Sequence, residues 1–325
     1  MIIYISAFLT SFLLTYVVKF IAHKKSLIDI PNERSSHNFP TARGGGLAIA
    51  ATWFIAISYL YYVGSITPNL YYALITGSII SVISFVDDIY NLKSSPRLVV
   101  QCIAAVIALY FIGGLHKVDL GFFVIENVLL LNSIAFVGIV WFVNLFNFTD
   151  GIDGYAASET IFVSLSLFFF LEDSLLLLFA TTVFGFLLWN WDKAKIFMGD
   201  VGSTLLGFTI CILAIHYHNT SQFSIINSLI LTSLFWFDAT ITLLKRFINK
   251  ENIGTAHKKH AYQRIVQYGF SHQKTVICAM IINLLLFAIV IGAQATKEFI
   301  TLYLLLTCTL MYVVYKYIDT KTPFE

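Results

Sequence analysis

Two aspartates three residues apart, Asp150 and Asp153, lie in NFTDGIDG, directly after LLLNSIAFVGIVWFV, one of the greasiest stretches of the chain. A charge near hydrocarbon is costly, so an acid at the lip of a membrane helix points first to function. Asn147 precedes them at the same spacing. If the segment is helical, i and i+3 share a face and three oxygen-bearing side chains converge. Carboxylates and an amide suit a hard cation such as Mg2+, which takes oxygen ligands and shares them with phosphates. The plain alternative is a Gly/Asp turn between two spans. Two Asp-Gly pairs with an upstream Asn make that alternative less ordinary.

Four further segments carry chemistry. SFVDDIYNLKSSPR places Asp87 and Asp88 side by side at a helix end. Neighbours on a helix point about 100° apart, so one can face a metal and the other a reacting proton. A solvated helix terminus is the competing reading, although acids there oppose the helix dipole. KIFMGDVGST sets Asp200 between Gly199 and Gly202 before another apolar run. Glycines at a helix start expose backbone N–H groups to phosphate. Phe197 can stack on a base, or simply anchor at the interface. GTAHKKHAYQR puts His257 and His260 three apart in the most basic loop. A metal there needs a third ligand. With Lys258, Lys259 and Arg264 adjacent, phosphate binding is the better reading, and attraction to anionic lipid is the alternative. NERSSHNFPTARGGGLAI fits no Walker pattern, because no G-K-[ST] follows. Its Arg34, His37 and Arg43 can hold phosphate, and Gly44, Gly45 and Gly46 permit close packing or a bend. Arg97, like Lys193 and Lys195, serves equally as a positive-inside determinant.

The elements that must position these residues follow from composition. The chain has 325 residues, 58% hydrophobic and only 12% charged, with mean hydropathy +0.81. Soluble domains carry about 25% charged residues, so the fold class is an all-α polytopic membrane protein. Hydropathy predicts eleven transmembrane helices, at 2–22, 45–63, 70–86, 98–114, 127–146, 155–171, 174–191, 201–217, 224–244, 275–293 and 299–317. Eighteen Lys and Arg residues fall in one set of connections, against only Lys117 and Lys297 in the other. The positive-inside rule then sets the N-terminus outside and the C-terminus inside. Asp87, Asp88, Asp150, Asp153 and Asp200 all fall on the cytoplasmic face, as do the polar loops 23–44 and 245–273. Residues 1–325 read as a single integral-membrane domain, the first segment a retained anchor rather than a cleaved signal. The four cysteines stand singly in apolar runs, which excludes a zinc or disulfide pattern.

Aspartates, a divalent cation and a basic frame are what phosphoryl transfer needs, and an acceptor dissolved in lipid explains a site at the bilayer edge. In that order, PTARGGGLAI, VDDIYNL, NFTDGIDG, FMGDVGS and AHKKH resemble the polyprenyl-phosphate N-acetylhexosamine-1-phosphate transferases, the MraY/WecA-like group of glycosyltransferase family 4. The likeness covers nearly the whole chain, and DIPNERSSHNFPTARGGG looks most like the branch that starts O-antigen or capsule repeat units.

The resemblance implies transfer of sugar 1-phosphate from a UDP-N-acetylhexosamine to undecaprenyl phosphate in the bacterial inner (cytoplasmic) membrane, within lipopolysaccharide biosynthesis. Asp87 matches a general base, with Asp88 beside it, and Asp200 matches the Mg2+ ligand, for which Mn2+ is a substitute. Asn147, Asp150 and Asp153 match a catalytic and nucleotide-side cluster, Asp153 near the uracil. Phe197 matches an aromatic stacked on that base, and His257 and His260 match histidines that hold the diphosphate. Arg43, Arg97 and Arg264 join them as substrate-binding cations. Membrane lipid is the expected surrounding, a homodimer is allowed, and no nucleic-acid partner is implied. Two departures stand out: the histidines read H-x-x-H rather than HxH or HHH, and Asn91 replaces the Asp of the WecA-like pattern. GlcNAc, QuiNAc and FucNAc stay open as the sugar, as do direct attack and an aspartyl-phosphate intermediate. A cation-coupled secondary transporter is the alternative class, but transporters place acids near the bilayer midplane. An inactive membrane scaffold sits least well with the full motif set.

Overall fold

In lipid every backbone group must be satisfied within its own segment, so long apolar runs become helices. The computed structural model describes residues 1–25, 27–31, 39–90, 92–252 and 257–324. Arg34, His37 and Asn91 lie outside the described residues. The first half holds α1 (Ile2–Lys24), α2 (Gly46–Tyr62), α3 (Pro68–Ile75), α4 (Gly77–Tyr90), α5 (Ser94–Ile112) and α6 (Val128–Thr149). The second half holds α7 (Tyr155–Leu171), α8 (Ser174–Asn190), α9 (Asp200–Asn219), α10 (Ile225–Leu231) and α11 (Ser233–Ile248). After these come α12 (Ala261–Gln267), α13 (His272–Ala295) and α14 (Ile300–Lys321).

Local sequence starts and stops these helices. Thr67, Asn127 and Ser271 accept backbone N–H groups at the starts of α3, α6 and α13, which satisfies donors the helix leaves open. Gly113 ends α5 in the left-handed region. Among the described residues, seven spans are long and apolar enough to cross a membrane, α3–α4 counting as one, and the bent pair α10–α11 makes an eighth. Three more apolar helices, α2, α7 and α8, have 17 residues each, about 26 Å of rise. This is a polytopic helical membrane architecture.

Continuity is where the sequence expectation fails. The span expected at 224–244 is broken, and α10 and α11 meet at 77°. Thr232 Oγ1 donates back to Ser228 O (2.8 Å), a bond that bends helices. The Trp236 indole donates to Leu229 O (2.8 Å), satisfying a carbonyl at the break. The all-α expectation also omits short strands. One sheet has the order β1 (Ile28–Asp29), β2 (Thr41–Arg43) and β5 (Ile196–Phe197); a second pairs β3 (Val118–Asp119) with β4 (Val124–Ile125). Runs this short carry no readable periodicity.

At the centre of the bundle is α9, with 83% of its apolar window buried, against 22% for α1 and for α14. It packs against α2, α4 and α6 through small residues, which let helices approach closely. The tightest approach is Gly46 at the start of α2 against Gly202 in the first turn of α9: a Cβ on Gly46 would lie 2.2 Å from the Gly202 nitrogen. Just upstream, β2 runs parallel to β5, and Gly44 and Gly45 donate to Phe197 O while Gly46 donates to Met198 O. The triple glycine thus lets one backbone lie on another.

Gly46→Ala is expected to cost about 1–3 kcal/mol, because the three atoms nearest its added Cβ are all backbone and cannot swing aside. Gly44 has nothing within 4 Å of its added Cβ, so Gly44→Ala meets only backbone strain. Thermal unfolding in detergent compares the two, and wild-type stability of Gly46→Ala would show the crossing to be loose.

Candidate active site

Five element ends meet at one face of the bundle. The last turn of α4 supplies Asp87 and Asp88, the first turn of α5 Arg97, the end of α6 Asn147, the first residue of α9 Asp200, and the last of β2 Arg43. Arg43 Nη2 reaches Asp200 Oδ1 at 2.6 Å and Asp88 Oδ1 at 2.9 Å. Arg97 reaches Asp87 Oδ2 at 2.5 Å and Asp200 Oδ2 at 2.9 Å. Asn147 Nδ2 donates to Asp200 Oδ2 (3.3 Å) and its Oδ1 accepts from Ser203 Oγ (2.8 Å). Asp200 also caps the positive end of its helix dipole, where an acid is favoured.

Asp150 follows α6 directly. Burial, and then the charges of Asp200, Asp88 and Asp153, push its carboxyl well above the usual carboxylate range, while Arg43 pulls it down. With Asp150 held towards its neutral form, Asp87, Asp88 and Asp200 still outnumber the two guanidiniums, a net negative charge that a divalent cation offsets. Asp88 Oδ2 is buried with no hydrogen-bond partner, and Gly199 (φ +75°) makes room for it, since a Cβ there would lie 2.9 Å away. Among the described residues no three His, Cys, Asp or Glu side chains form a metal cage. Mg2+ uses one or two carboxylates with substrate phosphates rather than such a cage, so this donor set fits it.

The segment is not helical through Asp153, so the condition for Asn147, Asp150 and Asp153 to share one face is not met. The chain leaves α6 at Asp150 and turns through Gly154 in the left-handed region before α7. Asp153 instead accepts from Ala194 N (3.1 Å) and pairs with His272 Nδ1 (3.2 Å). It lines a cleft of about 560 Å3 with Phe197, Phe39, Lys19, His23 and His272. This volume is in the range of small-ligand pockets. Thr41 and Ala42 also line the cleft, and the next residue, Arg43, reaches the aspartates. Cleft and charged cluster are therefore adjacent. His272 is a site residue that no spacing revealed, since 119 residues separate it from Asp153.

The histidine loop is packed rather than free. The His257 and His260 rings lie 4.8 Å apart, and His260, only 3% exposed, sits against Phe148 and Tyr262. Burial above all, with nearby Arg246, holds both imidazoles far below their ordinary value, at about 3. They are neutral hydrogen-bonding groups here, not cations. Tyr262 donates to Phe148 O (2.9 Å) beside Asp150, so α12 touches the cluster's edge. Arg264 does not join the cluster, correcting its place among the substrate-binding cations. It is 2% exposed, and its Nη1 bonds Asp319 Oδ1 (2.5 Å) and Thr322 O (2.8 Å).

The histidines make the fold acid-sensitive. From the ordinary value of 6.5 down to about 3, the unfolded chain binds protons that the folded loop refuses. Their neutral packing is therefore fully compatible with folding above pH 6.5, and stability falls as pH drops through that window. Thermal unfolding between pH 7.5 and 5 should show this fall, reduced in a His257→Gln/His260→Gln double variant. An undiminished fall would place the sensitivity elsewhere.

Comparison with known proteins agrees with this geometry. The family model described as glycosyl transferase family 4 matches residues 70–218. A probable undecaprenyl-phosphate N-acetylglucosaminyl 1-phosphate transferase of Bacillus subtilis is 31% identical over 320 residues, covering 93% of this chain and 87% of its own. An undecaprenyl-phosphate alpha-N-acetylglucosaminyl 1-phosphate transferase of Thermotoga maritima is 26% identical and covers 93% of both chains. A decaprenyl-phosphate N-acetylglucosaminephosphotransferase of Mycobacterium leprae is 26% identical, covering 90% of this chain and 83% of its own. With likeness over nearly the full length, and the family's motifs gathered at one end of the bundle, the chain belongs to glycosyl transferase family 4, the MraY/WecA-like transferases.

Proposed function

We propose that this protein transfers an N-acetylhexosamine 1-phosphate from a UDP-sugar to undecaprenyl phosphate, releasing UMP and starting a polysaccharide repeat unit such as an O-antigen. One observation carries the reading: a charged cluster lies between a polar cleft of nucleoside size and an apolar groove. The groove, about 480 Å3, runs among α11–α14 past Phe237, Ile282 and Met311 to Tyr155 and Tyr262. An aromatic and an acid in the cleft, Phe197 and Asp153, suit a uracil. The groove suits a prenyl chain. The relatives named above are undecaprenyl- or decaprenyl-phosphate transferases of N-acetylglucosamine 1-phosphate, which supports the same donor and acceptor classes here.

In this reading a lipid phosphate oxygen attacks the β-phosphorus of the UDP-sugar. The new P–O bond joins lipid to sugar phosphate, and the bond to the α-phosphate breaks to release UMP. Asp87 has both oxygens engaged, one by Arg97 and one by Leu92 N (2.7 Å). An arriving phosphate competes for Arg97 and frees Asp87 to take the acceptor's proton, general-base help worth about 10²–10⁴-fold. Arg43 and Arg97 hold phosphate oxygens in line. Asp200 and the free Asp88 oxygen are the groups that hold Mg2+, which when bound offsets diphosphate charge. His257 and His260 donate hydrogen bonds to the diphosphate. The acids stand at helix ends on one face, not at mid-helix, which favours an enzyme over a cation-coupled transporter.

The proposed setting is the cytoplasmic membrane, with eleven crossings, α2, α7 and α8 included, the N-terminus outside and the site at the cytoplasmic face. Accessibility tags should therefore report outside at His116 and inside at Lys193; a cytoplasmic signal at His116 overturns the orientation.

Purified protein with Mg2+, undecaprenyl phosphate and labelled UDP-sugars should yield a lipid-soluble product, abolished by a chelator. No such product from any UDP-N-acetylhexosamine sinks the proposal. Asp200→Asn should lower turnover by roughly 10²-fold or more, without rescue by raised Mg2+ and with fold retained. Wild-type turnover with unchanged Mg2+ dependence would remove Asp200 as the ligand and make Asp150 the next candidate.

A further inference from the structure

The end of α14 reaches the histidine loop through a set of contacts that the transfer chemistry does not use. Asp319 takes Arg264 of α12 on Oδ1 and Lys245, at the end of α11, on Oδ2 at 2.9 Å. Thr322 closes a second exchange with α12: its carbonyl accepts from Arg264 Nη1 (2.8 Å), and its hydroxyl donates to Arg264 O (3.2 Å). Phe324 is ringed by three cations, Lys245 at 4.9 Å, Lys259 at 5.4 Å and Arg264 at 5.6 Å. Two of the three, Lys259 and Arg264, bracket His260. Tyr315, one helical turn before Asp319, lies under Lys245 (4.5 Å) and Arg264 (4.9 Å).

From the other side, α12 is tied to the site. Ala261 N donates to Asp238 Oδ1 (2.8 Å), and Tyr262 Oη donates to Phe148 O. That hydroxyl is close enough to Gly151 that a Cβ there would lie 2.2 Å from it. The seven-residue α12 is too short to hold its own position, since isolated helices below about 12–15 residues are marginal. Its place is set by what grips its two sides, the Asp150–Gly151 turn and the end of α14.

We propose that Asp319 and Phe324 are positioning residues for the histidine loop: they clamp Arg264 and Lys259 so that His257, His260 and Tyr262 stay against the Asp150–Gly151 edge of the site. Neither touches the reacting groups. Resting on the transferase reading above, the clamp governs binding of the donor diphosphate rather than the chemical step. Its loss raises KM for the UDP-sugar and leaves kcat nearly unchanged.

The test combines hydrogen exchange and kinetics on the full-length protein in detergent, using Phe324→Ala, Phe324→Trp and Asp319→Asn. Phe324→Ala and Asp319→Asn should speed amide exchange in 257–267 without changing exchange in α9. They should raise KM for the UDP-sugar about tenfold, with kcat within about threefold, as lost cation–π and charge-assisted contacts imply. Phe324→Trp keeps an aromatic face for the cations and should restore both readouts. Unchanged exchange in Phe324→Ala and Asp319→Asn overturns the clamp whatever the activity. Faster exchange with an unchanged KM, or a fall in kcat alone, overturns the positioning role. If wild-type protein makes no lipid-linked product, the transferase reading fails, and the exchange data alone decide the clamp.

Discussion

Asp200 is held by two arginines at once, and the rest of the site depends on that sharing. Like charges a few ångströms apart repel by several kcal/mol at a protein surface. Asp87, Asp88 and Asp200 cannot gather at a membrane lip without fixed positive charge between them. Arg43 links Asp200 to Asp88, and Arg97 links Asp200 to Asp87. Removing either guanidinium leaves partly buried acids uncompensated, which costs far more than an exposed ion pair is worth. Because the arginines come from β2 and α5 and the acids from α4 and α9, charge compensation at the site joins four elements.

That compensation needs backbones closer than side chains normally allow. The α2–α9 crossing at Gly46 and Gly202 and the β2–β5 pairing bring Arg43 beside Phe197 and over Gly199. The same few residues therefore fix the floor of the polar cleft and deliver a cation to the aspartates. Small side chains along α9 let α4 and α6 reach it and bring Asp88 and Asn147 into range. Packing in the bundle and chemistry at its end are one problem here.

Around this charged centre the protein separates three environments. The cleft at Asp153 and Phe197 is polar and aromatic, the groove among α11–α14 is apolar, and the histidine loop, with neutral imidazoles, leads into α12 at the groove's wall. A bend at Thr232 makes this possible, since it angles α11 away from α10 and opens room for α12 beside α6. The end of α14 then pins α12 in that room.

The sequence by itself determined where the apolar helices lie and marked their polar ends as the place to look for a site. Apolar runs flanked by basic loops admit few other folds in lipid, and each expected span overlaps a helix or helix pair. It also marked Asp87, Asp88, Asp150 and Asp200 as candidates, because acids beside apolar runs are costly enough to be conspicuous, and Asn147 by its spacing to them. Tertiary structure alone decided which of them meet. Asn147 and Asp153 share a spacing that suggests one face, yet the turn at Asp150–Gly154 sends them to different neighbours. Arg264 reads as one more cation of a basic loop, but an acid 55 residues away captures it. His272 gives no signal in the sequence, since what marks it is proximity to Asp153 across 119 residues. Local spacing encodes helix and turn; which charges pair is set by where the helices end up, and those distances exist only in the folded chain.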